Sequence, residues 1–264
     1  MIAIEHCTKY FHRGSVNEVL ALNDIGLQVA SGDFITVIGS NGAGKSTLLN
    51  ALAGSFLLDS GTITIGNLNI TRWPEYKRAK LIARVFQDPL LGTCPSATIE
   101  QNMALALRRG KRRGLGIGVR TGERELFAIQ LANIGLGLET RIQDRDGLLS
   151  GGQRQALTML MATLVRPEVL LLDEHIAALD PKTAGQILSL TREIVAEQGL
   201  TTLMITHNMK HAIEFGNRLI MLHQGRIILD VSGEKKSSLS VDDLLHQFYK
   251  VQGEELANDS MLLT

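Results

Sequence analysis

Short apolar runs separated by glycines and polar turns occupy the first third of the chain. Residues 2–5 and 19–29 alternate or cluster apolar side chains in the manner of half-buried strands. Residues 33–38 (DFITVI) form a nearly continuous apolar run that stops at a glycine, which is typical of a strand buried on both faces. The runs at 61–65 (GTITI) and 82–86 (IARVF) predict two further strands.

The pattern changes near residue 88. From there to about residue 150, apolar residues recur with helical spacing over roughly 97–109 and 121–134, glycines interrupt them, and strand signals are few. We therefore predict an all-helical insert over 88–150.

Strands and helices alternate again after this insert. The run SGGQRQALTMLMATLVRP predicts a helix, EVLLLDE predicts a strand, and a further helix begins at Pro181 with Asp180 as its N-cap. Residues 201–205 predict a strand, and residues 218–231 predict a hairpin. Strands that alternate with helices around an apolar centre predict an α/β fold.

Composition narrows the classes of function. Lys+Arg and Asp+Glu both number 27 among the 264 residues, and the resulting zero net charge disfavours nucleic acid as a partner, because phosphate binding usually leaves a basic signature. Two cysteines cannot form a disulfide framework, which favours a reducing compartment. No uncharged apolar stretch approaches the roughly 20 residues that cross a bilayer, and the N-terminus lacks a secretory signal pattern. We therefore expect a soluble cytoplasmic chain.

A basic run interrupts the helical insert. Its cationic residues, spaced by glycines, are Arg108, Arg109, Lys111, Arg112, Arg113 and Arg120. Two interpretations stay open: a flexible solvated connector, or a contact with anionic lipid headgroups or an acidic partner surface.

The segment GSNGAGKST at 39–47 is the most specific motif, because it fits G-x-x-x-x-G-K-[ST] between a predicted strand and a predicted helix. Its glycines let backbone N–H groups turn around an anion, and the helix N-terminus adds partial positive charge. Lys45 is predicted to reach the β- and γ-phosphates of ATP, and the Ser46 hydroxyl to hold Mg²⁺. The alternative, an ordinary glycine-rich turn, is disfavoured by the correct flanks. The candidate nucleotide-binding residues are Gly39, Ser40, Asn41, Gly42, Ala43, Gly44, Lys45, Ser46 and Thr47.

The segment VLLLDE at 169–174 complements this loop. Its apolar residues predict a buried strand that delivers Asp173 to the edge of the sheet beside the phosphate loop. We expect Asp173 to join the Mg²⁺ shell and Glu174 to polarise the attacking water.

A third motif, LSGGQ at 149–153, places two glycines before a helix whose N-terminus can bind phosphate. Its candidate residues are Ser150, Gly151, Gly152 and Gln153. Ser150 and Gln153 also fit a capping box, and both interpretations can hold together.

The three motifs together resemble the ATP-binding cassette (ABC) ATPases, the motor subunits of ABC transporters, over roughly residues 1–235. The resemblance implies a P-loop NTPase core with a mixed sheet and an N-terminal antiparallel β subdomain over 1–87 and 151–235. It also implies an inserted helical subdomain over 88–150 and a C-terminal helix and tail over 236–264. In this family LSGGQ closes on the nucleotide of a second subunit, so a homodimer or a pair with a similar chain is expected.

Three further positions match smaller motifs of that family. Gln87 resembles the glutamine hinge that senses Mg²⁺ and the attacking water, although a lone Gln before Asp-Pro also suits a surface turn. Asp180 resembles the D-loop residue that touches the partner, and an N-cap explains it equally well. His207 matches the switch histidine, expected to hydrogen-bond the γ-phosphate and position Glu174, whereas a lone His at a strand end is usually structural.

The family also stacks adenine on an aromatic residue of an N-terminal loop, and here either Tyr10 or Phe11 can serve, with spacing favouring Phe11. His175 and Ile176 depart from the family pattern after the glutamate. His175 could tune the basicity of Glu174, but we expect it to be exposed to solvent. The DEHIAALDPK wording resembles a poorly characterised bacterial group of importer-type cassettes, some of them suspected of aromatic amino acid uptake.

These features predict an ATPase motor that hydrolyses ATP with Mg²⁺ and drives solute movement, with import favoured, through separate integral-membrane permease subunits. An extracytoplasmic binding protein is an expected further partner, and the cytoplasmic face of the cell membrane is the expected location. One rival is a soluble ABC ATPase, for example of the iron–sulfur assembly type. Another is a nucleotide-binding regulator without useful hydrolysis, against which the intact Glu174 argues.

Overall fold

The computed structural model describes residues 1–111 and 118–250. Strands β1 to β10 span Ile2–Phe11, Val19–Val29, Phe34–Gly39, Ser60–Ile65, Leu68–Asn69, Ile82–Val85, Val169–Asp173, Thr201–Ile205, Arg218–His223 and Arg226–Ser232. Helices α1 to α8 span Lys45–Ala53, Glu75–Arg78, Ile99–Leu107, Thr121–Ile134, Gly151–Thr163, Pro181–Gln198, Met209–Glu214 and Glu234–Ser237, and residues 241–250 form a further helix, α9.

A mixed six-stranded sheet forms the centre of the molecule, in the order β10-β9-β3-β8-β7-β6. The pairs that join β3, β6, β7, β8 and β9 are parallel, and the hairpin β9–β10 is antiparallel. Strands β3, β7 and β8 are buried along almost their whole length, as expected for parallel strands covered on both faces. Their carboxyl ends therefore meet at one edge, where ligands bind in open α/β sheets.

A second sheet is antiparallel and has the order β2-β1-β4-β5. Helix α1 lies between the two sheets, because one apolar cluster contains Leu48 and Leu52 of α1, Ile4 and Ile63 of the antiparallel sheet, and Leu171 of the central sheet. The predicted α/β fold with its mixed sheet and antiparallel β region is confirmed. Strand β1 is longer than the predicted 2–5, because its irregular register with β2 obscures the alternation in the sequence.

The predicted insert has its own apolar cluster. Met103 of α3 and Phe127 and Leu131 of α4 pack with Leu157 and Leu160 of α5. Other residues of α5 pack against the central sheet, so this helix connects the two parts. The division into subdomains stays a prediction.

The basic run is only partly a solvated connector. Arg108 forms an ion pair with Glu123 at 3.0 Å, and Arg109 donates hydrogen bonds to the carbonyls of Ala162, at 2.8 Å, and Val165 near the end of α5. Arg112 and Arg113 lie outside the described residues.

None of the helices in the described ranges is long and apolar enough to cross a membrane.

Candidate nucleotide-binding and hydrolysis site

The predicted phosphate loop connects β3 directly to α1. Gly44 has φ 100°, and a Cβ atom there would lie 2.5 Å from the carbonyl oxygen of Ala21. A Cβ atom on Gly39 would overlap the carbonyl of Leu222 on β9. The close approach of neighbouring backbone thus requires glycine at both positions.

Lys45 is the first residue of α1 and is buried. Its Nζ donates hydrogen bonds of 2.9 Å to the carbonyl oxygens of Gly39 and Ser40, so the ammonium group lies across the loop. Burial lowers the pKa of Lys45, and the nearby carboxylates of Glu174 and Asp173 oppose that change.

The first turn of α1 contains no acidic residue, and it has no side-chain cap because the N-cap residue is Gly44. The free N–H groups of this turn and the partial charge of the helix favour an anion at this end.

A cleft of ≈ 430 Å³ opens over the phosphate loop. Phe11 and Val19 line it on the side of the antiparallel sheet, and Glu174 and His207 line it on the side of the central sheet. Its remaining lining residues are His12, Ala21, Asn41, Gly42, Ala43, Gly44, Lys45, Ser46 and Thr47. Tyr10 is absent from this lining, and the Arg13 guanidinium lies 5.1 Å from its ring centroid. The position of Phe11 favours it over Tyr10 as the aromatic surface for adenine.

Glu174 and His207 form a short polar contact on the central-sheet side of this cleft. His207 Nε2 lies 2.6 Å from Glu174 Oε1, and the Glu174 side chain is 13% exposed while that of His207 is 48% exposed. The histidine therefore reaches the carboxylate from the open side of the cleft.

Asp173 ends β7 and is buried. Its Oδ2 accepts a hydrogen bond of 2.5 Å from Arg84 Nη2, and Arg84 Nη1 donates a second one, also 2.5 Å, to Asn50 Oδ1 on α1. Arg84 and Asn50 were not among the predicted site residues. The available signal was a charged residue inside the otherwise apolar run IARVF.

The oxygen donors near Lys45 fit Mg²⁺, which prefers hard oxygen ligands. Ser46 lines the cleft, and Asp173 does not line it, although its charge acts on Lys45. Gln87 is exposed and does not line the cleft, so the structure does not bring this predicted metal-sensing residue to the others. The described residues contain no group of three or more His, Cys, Asp or Glu side chains with metal-site geometry.

The residues of the LSGGQ motif at 149–153, called the signature residues below, do not line the cleft over the phosphate loop of their own chain. Ser150 and Gly151 are exposed, and Ser150 and Gln153 form the predicted capping box at the start of α5, with both hydrogen bonds at 3.2 Å. Gly152 is buried against α6, where an added Cβ would overlap the methyl group of Thr183. The capping interpretation is confirmed, and the exposed face stays available to another molecule.

A buried carboxylate supports this signature turn. Asp146 Oδ2 accepts hydrogen bonds from Thr93, at 2.8 Å, and from Arg154 on α5, at 3.0 Å. Arg154 also donates to the carbonyls of Asp146 and Leu149. This group was not predicted, because its members are separated along the chain.

Of the predictions for Asp180 and His175, which both follow α5, one is confirmed and the other is wrong. Asp180 is the N-cap of α6, as predicted, and its Oδ1 accepts from the Thr183 N–H at 3.1 Å. The expected exposure of His175 is wrong: the ring is 2% exposed, and its Nε2 lies 3.1 Å from Thr191 Oγ1 on α6. Burial lowers the pKa of His175 from 6.5 to about 4.

Comparison with known proteins adds independent evidence. The family model described as ABC transporter matches residues 22–177. The chain is 45% identical to a tyrosine transport ATP-binding protein of Clostridioides difficile, covering 94% of this chain and 98% of that protein. It is 35% identical to a methionine import ATP-binding protein of Sodalis glossinidius, over 86% of this chain and 64% of that protein.

Solved structures agree. The dimeric cassette MJ0796 in a post-hydrolysis state bound to ADP and Pi is 28% identical, with a TM-score of 0.75 over 88% of this chain and 98% of that chain. Transport and import proteins among the relatives support a transporter subunit over a soluble ABC ATPase. The matches in sequence and in structure agree with the three motifs, and the chain belongs to the ABC transporter family as an ATP-binding subunit that hydrolyses ATP with Mg²⁺.

Proposed function

We propose that the cleft over the phosphate loop binds ATP and that Glu174 orients and deprotonates the attacking water. The contact of 2.6 Å between Glu174 and His207, at a cleft that also contains the phosphate loop, carries this proposal. A general base must lie within hydrogen-bond reach of its water, and His207 holds the carboxylate within that reach. Phe11 stacks on adenine from the opposite wall.

Lys45 supplies the positive charge for the β- and γ-phosphates. Its Nζ is already directed across the loop toward Gly39 and Ser40, and phosphate oxygens would replace those carbonyls as its acceptors. Ser46 and Asp173, with Gln87 after a movement of its loop, hold Mg²⁺. The ion supplies charge neutralisation for the transferred phosphoryl group when it is bound.

A second copy of this chain completes the site. Ser150 and Gly151 are exposed and do not line the cleft over their own phosphate loop, which leaves them free to contact a nucleotide bound to another molecule. Two chains packed head to tail would enclose two ATP molecules, with Asp180 at the shared interface. The dimeric form of the structural relative supports this arrangement. A pair with a similar cassette is the alternative.

A permease subunit docks in a second cleft, of ≈ 740 Å³, between the central sheet and the helical part. Tyr76, Leu91 and Leu105 line it and are 79%, 68% and 46% exposed. An exposed apolar cleft of this kind is typical of a protein interaction site. Docking there would place the chain at the cytoplasmic face of the membrane.

The transported solute is tyrosine or a closely related aromatic amino acid, imported with the help of an extracytoplasmic binding protein. The relative named for tyrosine transport supports this choice, because it aligns over nearly its whole length at 45% identity.

Uptake in membrane vesicles that contain the permease partner tests the proposal. We expect ATP-dependent accumulation of labelled tyrosine that is abolished by Lys45→Ala and retained by Lys235→Ala, which changes an exposed lysine remote from the cleft. Uptake of another solute without competition by tyrosine would refute the substrate assignment alone. A chain that never co-purifies with a membrane protein would refute the transport role.

A further inference from the structure

Arg84 bridges the carboxylate of Asp173, at the end of β7, and helix α1, which follows the phosphate loop. Strands β6 and β7 are parallel, and Arg84 pairs in register with Leu171. Asp173 lies two residues beyond Leu171, so its side chain and that of Arg84 project from the same face of the sheet, the face that packs against α1. Asn50 of α1 receives the other arm of the guanidinium group.

The bridge is enclosed. The side chains of Arg84 and Asp173 are 14% and 12% exposed, and the guanidinium lies 4.6 Å from the ring centroid of Phe86. Both terminal nitrogens make hydrogen bonds of 2.5 Å to fixed acceptors. A charge-assisted contact in such a shielded place holds its partners in one orientation more firmly than a surface ion pair does.

The contact uses only one oxygen of the carboxylate. Arg84 binds Oδ2 of Asp173, and a carboxylate has two oxygens that can accept several bonds. The other oxygen therefore stays available for Mg²⁺ or for a water of its shell.

We propose that Arg84, anchored by Asn50, is a positioning residue that holds Asp173 in the orientation required to bind Mg²⁺. This inference rests on the proposed function, because it requires Asp173 in the metal shell. Groups that orient a metal ligand without touching the metal typically change metal affinity by about 10–100-fold when they are removed.

The test measures Mg²⁺ dependence of nucleotide binding rather than turnover. A fluorescent non-hydrolysable ATP analogue is titrated in EDTA and then at increasing Mg²⁺ concentration, with full-length protein. For Arg84→Gln we expect unchanged affinity in EDTA, because the phosphate loop is intact, and a midpoint Mg²⁺ concentration about tenfold or more higher. Arg84→Lys keeps the charge but has one nitrogen and cannot bridge Asp173 and Asn50, so its midpoint also rises.

Two further variants complete the design. Asn50→Ala removes only the anchor, and we expect a smaller increase in the same direction. Arg218→Gln removes another arginine–carboxylate pair, with Asp230 at 2.5 Å on the β9–β10 hairpin, and its midpoint should equal that of the wild-type protein.

Several outcomes would overturn the proposal. An unchanged or lower midpoint in Arg84→Gln shows that the guanidinium does not help the metal, and a lower one shows that it competes with it. If Arg84→Gln does not fold, as judged by its thermal unfolding, unchanged midpoints in Arg84→Lys and Asn50→Ala are decisive. Asp173→Asn distinguishes failure of this inference from failure of the proposed function. If the midpoint is unchanged in both Arg84→Gln and Asp173→Asn, the proposed metal role of Asp173 fails. If it is unchanged in Arg84→Gln but raised in Asp173→Asn, only the role of Arg84 is refuted.

Discussion

Glu174 and His207 lie 2.6 Å apart because the strands that precede them are parallel neighbours in the central sheet. Asp173 at the end of β7 pairs in register with Ile205 at the end of β8, so the segments that follow the two strands leave the sheet at the same edge. Glu174 has φ 48°, a left-handed conformation that is uncommon for a residue with a side chain, and its N–H donates to the Ile205 carbonyl at 3.2 Å. The backbone therefore fixes the carboxylate opposite the histidine.

Glu174→Gln should retain ATP binding and lose hydrolysis. An amide keeps the size and a hydrogen-bonding group but cannot accept the proton of water, and loss of a general base typically lowers kcat about 10²–10⁴-fold. Since the bound nucleotide would then persist between the two chains, we expect an ATP-dependent dimer. Phosphate release and light scattering with size-exclusion chromatography measure the two effects.

Glu197→Gln is the matched control, because Glu197 is an exposed carboxylate on α6 away from the cleft. It should hydrolyse ATP at the wild-type rate. A Glu174→Gln variant that turns over ATP as fast as the control would remove Glu174 from the role of base.

His207→Ala should lower kcat through misplacement of Glu174, while the affinity for ATP in EDTA stays within about twofold. A loss of about 100-fold is expected when a reacting group is displaced by about 1 Å. His207→Gln keeps an N–H donor near the carboxylate and should recover part of the rate. Equal losses in both variants would mean that the contact at 2.6 Å does not position Glu174.

The burial of His175 should make the free energy of unfolding depend on pH. Thr191 Oγ1 donates to the Ile187 carbonyl at 2.8 Å, so it accepts from His175 Nε2, and the buried Nδ1 has no partner among the described residues. Protonation would add a second buried N–H without an acceptor. Between pH 6.5 and about 4 the unfolded chain binds a proton at this residue and the folded protein does not, so the free energy of unfolding falls as pH decreases. The interval corresponds to a loss of about 3 kcal/mol.

Urea unfolding at pH 7.5 and pH 5 measures the part of this loss that falls between pH 6.5 and 5, about 2 kcal/mol. His175→Gln has no titrating ring, and its stability should change less over that interval than the stability of the wild-type protein. His12→Gln, at an exposed histidine, should follow the wild-type curve. Identical pH dependence in all three proteins would contradict a neutral buried His175.

The phosphate loop, the Glu174 position and the order of elements could be predicted from the sequence, because each depends on local patterns such as an apolar run that stops at glycine. Other contacts depend on tertiary structure. Arg78 is 1% exposed, and its guanidinium donates to the carbonyls of Ala51 and Leu52 at the end of α1. No spacing along the chain signals that bond, nor the burial of His175, because both depend on which helix packs on which sheet.

Substitution of Gly152 would test the packing that orients the signature helix, α5. A Cβ atom at this position would overlap the Cγ2 methyl group of Thr183 on α6, so either the Thr183 side chain or the spacing of the two helices must change. Gly152→Ala should therefore lower the free energy of unfolding by about 1–3 kcal/mol, the usual cost of an overpacked contact, and weaken the ATP-dependent dimer by displacing Ser150.

The double variant Gly152→Ala with Thr183→Ser removes that methyl group and leaves the hydroxyl oxygen, which lies 3.8 Å from the added Cβ and makes ordinary contact. We expect the double variant to regain most of the stability and of the dimer, whereas Gly151→Ala, with its nearest neighbour at 3.7 Å, should cost little stability. If the double variant were as unstable as Gly152→Ala alone, the destabilisation would not come from Thr183. If stability returned and the dimer did not, the loss of the dimer would not come from displacement of Ser150 by the crowded contact with Thr183, because that contact is relieved in the double variant.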